Sequence, residues 1–277
     1  MSPASSSVPT IRIDPLWTAI RAEAWSEQDR EPILRSFLHQ AILAQRRFED
    51  ALSLHLAAKL VTESLTPMTV RELISEALAA SPEIGLAARD DLQAVRDRDP
   101  ASRGYLVPFL YFKGYHALQS YRIAHWFWQQ QRSLMALHLQ NRISEVFGVD
   151  IHPAAQIGSG VLIDHATGVV IGETSVIENN VSLLHEVTLG GTGKETGDRH
   201  PKVRAGVLIG AGAKVLGNIE IGAGAKIGAG SVVLDAVPAH CTAAGVPSRV
   251  VGRPTVDQPA LEMDQAFPHV HAGGSGI

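Results

Sequence analysis

Aliphatic residues recur at every sixth position through the second half of this chain, in three runs. The runs are Ile151, Ile157 and Ile163; then Ile171, Ile177, Leu183 and Leu189; then Val203, Ile209, Val215, Ile221, Ile227 and Val233. A sustained hexad is typical of a parallel β-helix, in which three short strands form one coil and successive coils stack with a rise of about 4.8 Å. Buried strands of an ordinary α/β domain would alternate with helical patterns, and none intervenes here. The repeat therefore predicts a β-helix with an aliphatic interior.

Two departures from the hexad mark insertions. The step between the first and second runs is eight residues, and the step between the second and third is fourteen. Since extra residues cannot enter the packed interior of a solenoid, each insertion must leave it as a surface loop. The first, within VLIDHATGVVIG, carries Asp164 and His165, and the second, GTGKETGDRHPK, carries Arg199 and His200. Extra loops without a core of their own usually serve function, which makes these four residues candidates.

The first part of the chain has the pattern of amphipathic helices. FEDALSLHLAAKLV, TVRELISEALAA and GLAARDDLQAVRDR place apolar residues at helical spacing and charges on the other face, and TPMTVRE and SPEIG are typical helix starts. Asp99 before Pro100 fits an N-cap that opens the next helix. The expected fold class is α+β, with a helical domain over residues 1–145, a parallel β-helix over residues 146–255 and a flexible tail over residues 256–277.

Composition limits the function classes. The 277 residues are 45% hydrophobic and 19% charged with a net charge of −4, which is typical of a globular protein and gives no reason to expect a nucleic-acid partner. The single cysteine, Cys241, excludes an internal disulfide and suits a reducing cytoplasm. MSPASSSVPT lacks the features of a signal peptide, and charged residues interrupt the aromatic stretch YRIAHWFWQQQR, so no membrane association is expected.

Several segments together resemble one enzyme family. DPASRGYLVPFLYFKGYHALQSYRIAHWFW, NRISEVFGVDIHPAAQIGSGVLIDHATGVVIGETSVI, VTLGGTGKETGDRHPKVR and AAGVPSRVVG closely resemble serine acetyltransferase, over about residues 99–255. The resemblance implies a left-handed β-helix of hexapeptide repeats and a helical domain used for oligomerisation. It also implies transfer of acetyl from acetyl-CoA to the hydroxyl of L-serine, giving O-acetyl-L-serine in the first step of cysteine biosynthesis.

The chemistry requires a base. A serine hydroxyl is a poor nucleophile at neutral pH, so its attack on a thioester needs a group such as imidazole to remove the proton. His165 matches the catalytic histidine of the family, and Asp150 matches the carboxylate that orients it. A backbone N–H near Gly191 is a candidate oxyanion donor. Cys241 lies beyond the regular coils with only His240 beside it, so we expect direct transfer without an acetyl-enzyme.

The resemblance also supplies binding residues and partners. Serine is a small zwitterion, and the substrate-binding positions of the family match Asp99 and Asp164 for the ammonium and Arg199 and His200 for the rest of the pocket. The expected CoA contacts are Gly191, Thr192, Ala211, Gly212 and Ala229, with Lys226 or Lys214 near the phosphates. No permanently bound cofactor or metal is expected, acetyl-CoA being a co-substrate.

The expected partners beyond the substrates follow from the same resemblance. L-cysteine fits the serine pocket as a feedback inhibitor. The chain ends on Ile277 after a flexible GGSG, and the resemblance implies that this isoleucine docks into O-acetylserine sulfhydrylase. A homotrimer formed by the β-helices, doubled to a hexamer by the helical domains, is expected to build its sites between subunits.

Three alternatives remain open from the sequence. A β-helix of this type can be a zinc carbonic anhydrase, for which His165, His185 and His200 are available, although a closely spaced histidine pair is missing. A non-catalytic scaffold would leave both insertions unexplained. A CoA-dependent O-acetyltransferase acting on homoserine or a sugar is the alternative within the same enzyme class.

Overall fold

A computed structural model describes residues 14–193 and 196–265. Its first part is helical. The helices are α1 (Pro15–Arg30), α2 (Arg35–Leu38), α3 (Phe48–Leu60), α4 (Pro67–Ala80), α5 (Pro82–Arg98), α6 (Leu106–Tyr111), α7 (Lys113–Gln129) and α8 (Ser133–Phe147), with a 3-10 turn at Pro32–Leu34 and a π turn at His39–Leu43. The helical part therefore ends at Phe147, two residues before the first strand.

Local sequence signals explain most helix boundaries. Helix α4 begins at Pro67 after Thr66, whose side chain accepts a hydrogen bond from the Thr69 N–H, and α5 likewise begins with a proline, so both predicted starts are confirmed. The N-cap assigned to Asp99 is wrong. Its N–H donates to the Val95 carbonyl at 3.0 Å, so Asp99 closes α5, and the next helix does not begin until residue 106. A residue before proline must be extended, which suits a helix end as well as an N-cap.

The second part is a parallel β-helix, and its described residues form fifteen short strands. They are β1 (Val149–Ile151), β2 (Gln156–Ile157), β3 (Leu162–Ile163), β4 (Val169–Ile171), β5 (Val176–Ile177), β6 (Ser182–Leu183), β7 (Thr188–Gly190), β8 (Lys202–Val203), β9 (Leu208–Ile209), β10 (Lys214–Leu216), β11 (Glu220–Ile221), β12 (Lys226–Ile227), β13 (Val232–Val233), β14 (Thr242–Gly245) and β15 (Ser248–Gly252). Every third strand pairs as far as β13, giving sheet A (β1, β4, β7, β10, β13), sheet B (β2, β5, β8, β11) and most of sheet C (β3, β6, β9, β12). Strand β14 and then the antiparallel β15 complete sheet C.

The strand register confirms the stacking predicted from the hexad. Ile171 lies opposite Ile151 and Leu189 opposite Ile171, and all three are buried in the interior. The register continues across the fourteen-residue step, since Val215 also pairs with Leu189. Both insertions therefore leave the coils unshifted, and both emerge at corners of the prism.

The helical part packs directly on the β-helix through buried polar and steric contacts. Asp91 of α5 is fully buried and accepts two hydrogen bonds from Arg122 of α7, while its other oxygen accepts from the Val161 N–H at 2.9 Å. Gly114 of α7 lies so close to the Ile163 carbonyl oxygen that a Cβ there would be 2.0 Å away. A glycine is therefore needed where α7 crosses the corner that precedes Asp164.

The end of the chain folds back on the β-helix. Strands β14 and β15 form an antiparallel hairpin, and a short helix, α9 (Pro259–Glu262), follows within the segment expected to be a tail. The Ala260 carbonyl accepts a hydrogen bond from the Ser182 hydroxyl at 2.9 Å. Residues 266–277, including Ile277, lie outside the described residues. None of the helices within residues 14–193 and 196–265 combines the length and the apolar character that spanning a bilayer requires.

Candidate functional site

The first insertion forms a tight loop at the corner between sheets C and A. His165 and Ala166 both have positive φ angles, 55° and 61°, and the Ala166 N–H donates to the Asp164 carbonyl at 2.6 Å. This left-handed backbone is uncommon for residues other than glycine and is frequent at functional sites. It turns the His165 side chain outward, where 77% of its surface is exposed.

Asp99, Asp164 and His165 line one cavity. The cavity has a volume of about 860 Å³ and lies between the end of α5, the start of α7 and the first insertion loop, and we call it the His165 cavity. The His165 Nε2 lies 4.0 Å from the Asp164 Oδ1. Three predicted site residues, separated by as much as 66 positions in sequence, are therefore brought together in one chain.

The electrostatics of the cavity favour a cationic ligand. Burial raises the pKa of the Asp164 carboxyl above its usual range; the adjacent His165 lowers that pKa, and the carboxylate of Asp99 raises it. Two carboxylates that disfavour each other's charge are both stabilised when a cation binds between them. An ammonium group, which donates hydrogen bonds to carboxylates, is such a cation.

The second insertion is anchored at the next corner, between sheets A and B. The Thr174 hydroxyl accepts hydrogen bonds from the N–H groups of Arg199 and His200, both at 3.0 Å, and lies 2.9 Å from the His200 Nδ1. Lys202 fixes the base of the loop through the carbonyls of Thr174 and His200 and the carboxylate of Asp198. Thr174 thus places Arg199 and His200 side by side, and we call this group the Arg199 corner.

His200 is packed tightly and Arg199 is not. A Cβ on Gly172 would lie 2.1 Å from the His200 ring, so only glycine leaves room for that imidazole. Burial lowers the pKa of His200, and the neighbouring Arg199 lowers it as well. The Arg199 guanidinium reaches the Glu173 carboxylate at 2.7 Å with both side chains partly exposed. Exposed ion pairs of this kind contribute little stability, so a substrate carboxylate can compete for the same guanidinium.

Asp150 does not contact His165 within one chain. It lies on β1, where its carboxylate accepts a hydrogen bond from Gln140 at 2.7 Å, and no hydrogen bond or ion pair joins it to His165 in residues 14–193 and 196–265. The fifteen-residue separation is short of one coil, so the two residues do not stack. Asp150 acts electrostatically on His152, as do Glu173 and Arg199, which places it near the Arg199 corner.

The predicted CoA residues divide between the two corners. Ala211, Gly212 and Ala229 continue the column of corners that begins at His165: the Gly212 N–H donates to the His185 carbonyl at 2.9 Å, and the Gly230 N–H donates to the Ala211 carbonyl at 2.7 Å. Gly191 and Thr192 follow β7 beside the Arg199 corner.

The two candidate lysines differ in exposure. Lys226 is only 4% exposed on β12, where burial lowers its pKa and the Asp264 carboxylate raises it. Lys214 is close to the Glu186 carbonyl and its ammonium is exposed. Of the two ammonium groups, that of Lys214 is therefore the more accessible to a ligand.

The histidines considered for zinc are dispersed. His165 and His185 meet edge-to-face with ring centroids 5.9 Å apart, but His200 lies at the other corner. Among the described residues, no three His, Cys, Asp or Glu side chains are grouped to hold a metal ion.

Comparison with known proteins now identifies the family. Residues 16–120 match the family model described as serine acetyltransferase, N-terminal, and residues 200–235 match the bacterial transferase hexapeptide model of six repeats. The chain is 56% identical to serine acetyltransferase of Escherichia coli K12 over 265 residues, 95% of this chain and 97% of that protein. The chain belongs to the serine acetyltransferase family. A serine acetyltransferase of Haemophilus influenzae is also 56% identical, over 93% of this chain and 97% of that protein.

Solved serine acetyltransferases share the fold and include three ligand complexes. One in complex with cysteine has a TM-score of 0.90 at 56% identity, covering 91% of this chain and 98% of its own. The Brucella abortus enzyme in complex with coenzyme A has a TM-score of 0.87 at 51% identity, covering 89% and 98%. The soybean enzyme complexed with serine has a TM-score of 0.84 at 54% identity, covering 85% and 97%.

Two residues near the Arg199 corner were missed from sequence, and His185 was considered only as a zinc ligand. Thr174 and Glu173 follow β4, and both contact Arg199 from 25 or 26 positions away. His185 lies one coil from His165 and contacts its ring. The distance of one full coil, eighteen residues plus the insertion, is the sequence signal that pairs such positions.

Proposed function

We propose that this chain transfers acetyl from acetyl-CoA to the hydroxyl of L-serine, giving O-acetyl-L-serine and CoA, in the first step of cysteine biosynthesis. The observation that carries the proposal is the grouping of Asp99, Asp164 and His165 in one cavity of a serine acetyltransferase chain. Relatives with CoA and with serine support the two substrates. Acetyl-CoA is a co-substrate, and the reaction needs no permanently bound cofactor.

His165 acts as the general base. Its exposed imidazole accepts the serine hydroxyl proton as the oxygen attacks the thioester carbon. Collapse of the tetrahedral intermediate breaks the carbon–sulfur bond, and the CoA sulfur takes the electron pair and then the proton held by His165. The acetyl group passes directly between substrates, which agrees with Cys241 not being among the residues that line the His165 cavity.

The two carboxylates of the His165 cavity bind the serine ammonium. The Asp99 carboxylate raises the pKa of Asp164, and a cation bound between the two carboxylates offsets that repulsion. The serine carboxylate then requires a cation, for which Arg199 and His200 are the proposed partners. In one chain these lie at the corner that follows the sheet A strands, whereas His165 lies at the corner that precedes them.

Assembly into a trimer brings the two corners together at the interface between neighbouring subunits. In a closed ring of three β-helices, each interface joins one edge of a subunit to the other edge of its neighbour. The His165 cavity of one subunit then faces the Arg199 corner of the next, and Asp150, close to that corner, orients His165 across the interface. Helical domains join two trimers into a hexamer. CoA extends along the corner column of Ala211, Gly212 and Ala229, with Gly191 and Thr192 contributed from the other edge.

Mixing inactive subunits tests the shared site. His165→Ala and Arg199→Ala chains are each expected to be inactive, but a randomly assembled mixture should regain about a quarter of wild-type activity, because one interface in four joins two intact edges. The control is each variant assayed alone, without the other. If mass measurement confirms that the trimers are mixed but no activity returns, each site lies within one chain.

Product analysis tests the substrate. Acetyl-CoA is supplied with L-serine, L-homoserine or a hexose, and acetylated products are measured by mass spectrometry. We expect O-acetyl-L-serine as the main product and at least tenfold lower turnover with homoserine, whose extra methylene displaces the hydroxyl from His165. Preferred acetylation of homoserine or the sugar would refute the proposal.

Two further partners belong to the same proposal. L-Cysteine binds in place of serine as an inhibitor, since it carries the same ammonium and carboxylate, and a relative has been solved in complex with cysteine. O-Acetylserine sulfhydrylase binds the C-terminal Ile277, a residue beyond the described part of the chain.

A further inference from the structure

His185 occupies the corner directly above His165 in the β-helix. The Asp164 N–H donates to the Leu183 carbonyl at 2.8 Å, which fixes the coil register between the two corners. The two imidazoles meet edge-to-face, with ring centroids 5.9 Å apart and an angle of 80° between the rings. The His185 carbonyl accepts a hydrogen bond from the Gly212 N–H, and Gly212 belongs to the proposed CoA column. His185 therefore lies one coil from His165 and contacts both its ring and the first residues of that column.

The hydrogen bonding of the His185 ring is incomplete. Its Nδ1 is buried with no hydrogen-bond partner among the described residues, whereas its Nε2 is not enclosed in this way. An unpaired buried N–H donor is rarer and costlier than an unpaired acceptor, so the Nδ1 carries the lone pair of the neutral ring. The proton is then on the Nε2, which is the nitrogen open to a ligand. In this tautomer, His185 can donate a hydrogen bond from its Nε2 to a ligand.

We propose, resting on the function proposed above, that the His185 Nε2–H donates a hydrogen bond to the CoA sulfur as it leaves. In the transfer, the serine oxygen bonds to the acetyl carbon while the carbon–sulfur bond breaks and its electron pair goes to the sulfur. His165 supplies the proton that finally neutralises this thiolate, so His185 loses no proton. A donor aimed at the atom where negative charge develops lowers the barrier without changing the proton balance.

The order of groups along the corner column favours sulfur as the acceptor. Serine lies at the level of Asp99, Asp164 and His165, and the pantetheine arm descends from Ala229 through Ala211 and Gly212. The coil of His185 lies between these levels, about 4.8 Å from each neighbour. The thioester must occupy that level with its acetyl carbon toward serine and its sulfur toward the arm.

Removing the sulfur from the ligand tests this contact independently of turnover. Calorimetry compares CoA with desulfo-CoA at pH 10, because the alkyl thiol of CoA is more basic than a cysteine thiol of pKa about 8.5 and is mostly thiolate only near that pH. The wild type should bind CoA roughly tenfold or more tightly than desulfo-CoA, as expected for a charge-assisted hydrogen bond. His185→Phe keeps an aromatic ring against His165 but has no donor, so its affinity for CoA should fall to that for desulfo-CoA. His185→Gln keeps an N–H donor and should retain most of the difference.

Other outcomes would overturn the inference. An unchanged affinity ratio in His185→Phe would show that the sulfur does not contact His185. A loss of affinity for both ligands in both variants would make His185 a structural support of the loop. If wild-type protein bound neither ligand, the proposed function itself would fail. Kinetics add a second check: His185→Phe should lower kcat by roughly tenfold or more while leaving the KM for L-serine near its wild-type value.

Discussion

A buried histidine pair in the helical domain should make the protein sensitive to acid. The His55 Nε2 is 3.0 Å from the Leu110 carbonyl and the His116 Nε2 is 2.8 Å from the Phe109 carbonyl, with ring centroids 4.9 Å apart. Burial lowers the pKa of His55 to about 4, with a further contribution from Lys59. Burial also lowers the pKa of His116 to about 3, and His55 adds to this effect. Both rings are therefore neutral in the folded protein at pH 5.

The size of the effect follows from proton linkage. In the unfolded chain both histidines titrate near pH 6.5, so below that pH the unfolded state binds protons that the folded state does not. Above pH 6.5 both histidines are neutral in the folded and the unfolded state, and the free energy of unfolding is not reduced. It falls as the pH drops from 6.5 toward the pKa values of the folded protein. At pH 5, which is 1.5 units below 6.5, each histidine costs about 2 kcal/mol at 1.36 kcal/mol per unit, or about 4 kcal/mol for the pair.

Denaturant unfolding at pH 7.5 and 5.0, at one protein concentration, measures this cost. The double variant His55→Gln/His116→Gln keeps hydrogen-bonding side chains but has nothing to titrate. Its free energy of unfolding should fall by about 4 kcal/mol less than that of the wild type between the two pH values. His39→Gln, at an exposed position, is the control and should behave as the wild type. Equal pH sensitivity in the wild type and the double variant would refute the reasoning.

Three other perturbations have defined outcomes. Asp91→Asn leaves Arg122 buried without its counter-ion and should lower the free energy of unfolding by about 3–5 kcal/mol, whereas exposed Asp90→Asn should have little effect; a loss below 1 kcal/mol would contradict this. Gly114→Ala forces α7 away from the first insertion and should cost about 1–3 kcal/mol with reduced activity, so wild-type melting and turnover would argue against that contact. Deleting Ile277 should abolish sulfhydrylase binding in calorimetry without affecting acetyl transfer, and equal affinities would exclude the docking role.

The β-helix could be predicted in detail because its order is local and periodic. One aliphatic residue in six specifies a buried position, and the register of Ile151, Ile171 and Leu189 follows from counting along the chain. The two insertions were visible for the same reason, since a loop that leaves the coil disturbs the count. Helix starts at Pro67 and Pro82 were equally local signals.

Contacts between distant segments could not be predicted in this way. Nothing in the sequence pairs Asp91 with Arg122, because their contact depends on how α5 and α7 pack. Asp99 was assigned to the wrong end of a helix, since Asp–Pro suits both ends. The separation of Asp150 from His165 was missed because fifteen residues were taken as about one coil, whereas stacking requires eighteen plus any insertion.

Thiol release from acetyl-CoA, followed continuously with and without L-serine, tests the central claim most directly. The wild type should release thiol only when L-serine is present. His165→Ala should lower this rate by ~10²–10⁴-fold, because it removes the base, while CoA affinity and melting temperature stay near the wild-type values since the side chain is mostly exposed. Near-normal, serine-dependent thiol release by His165→Ala would contradict the account.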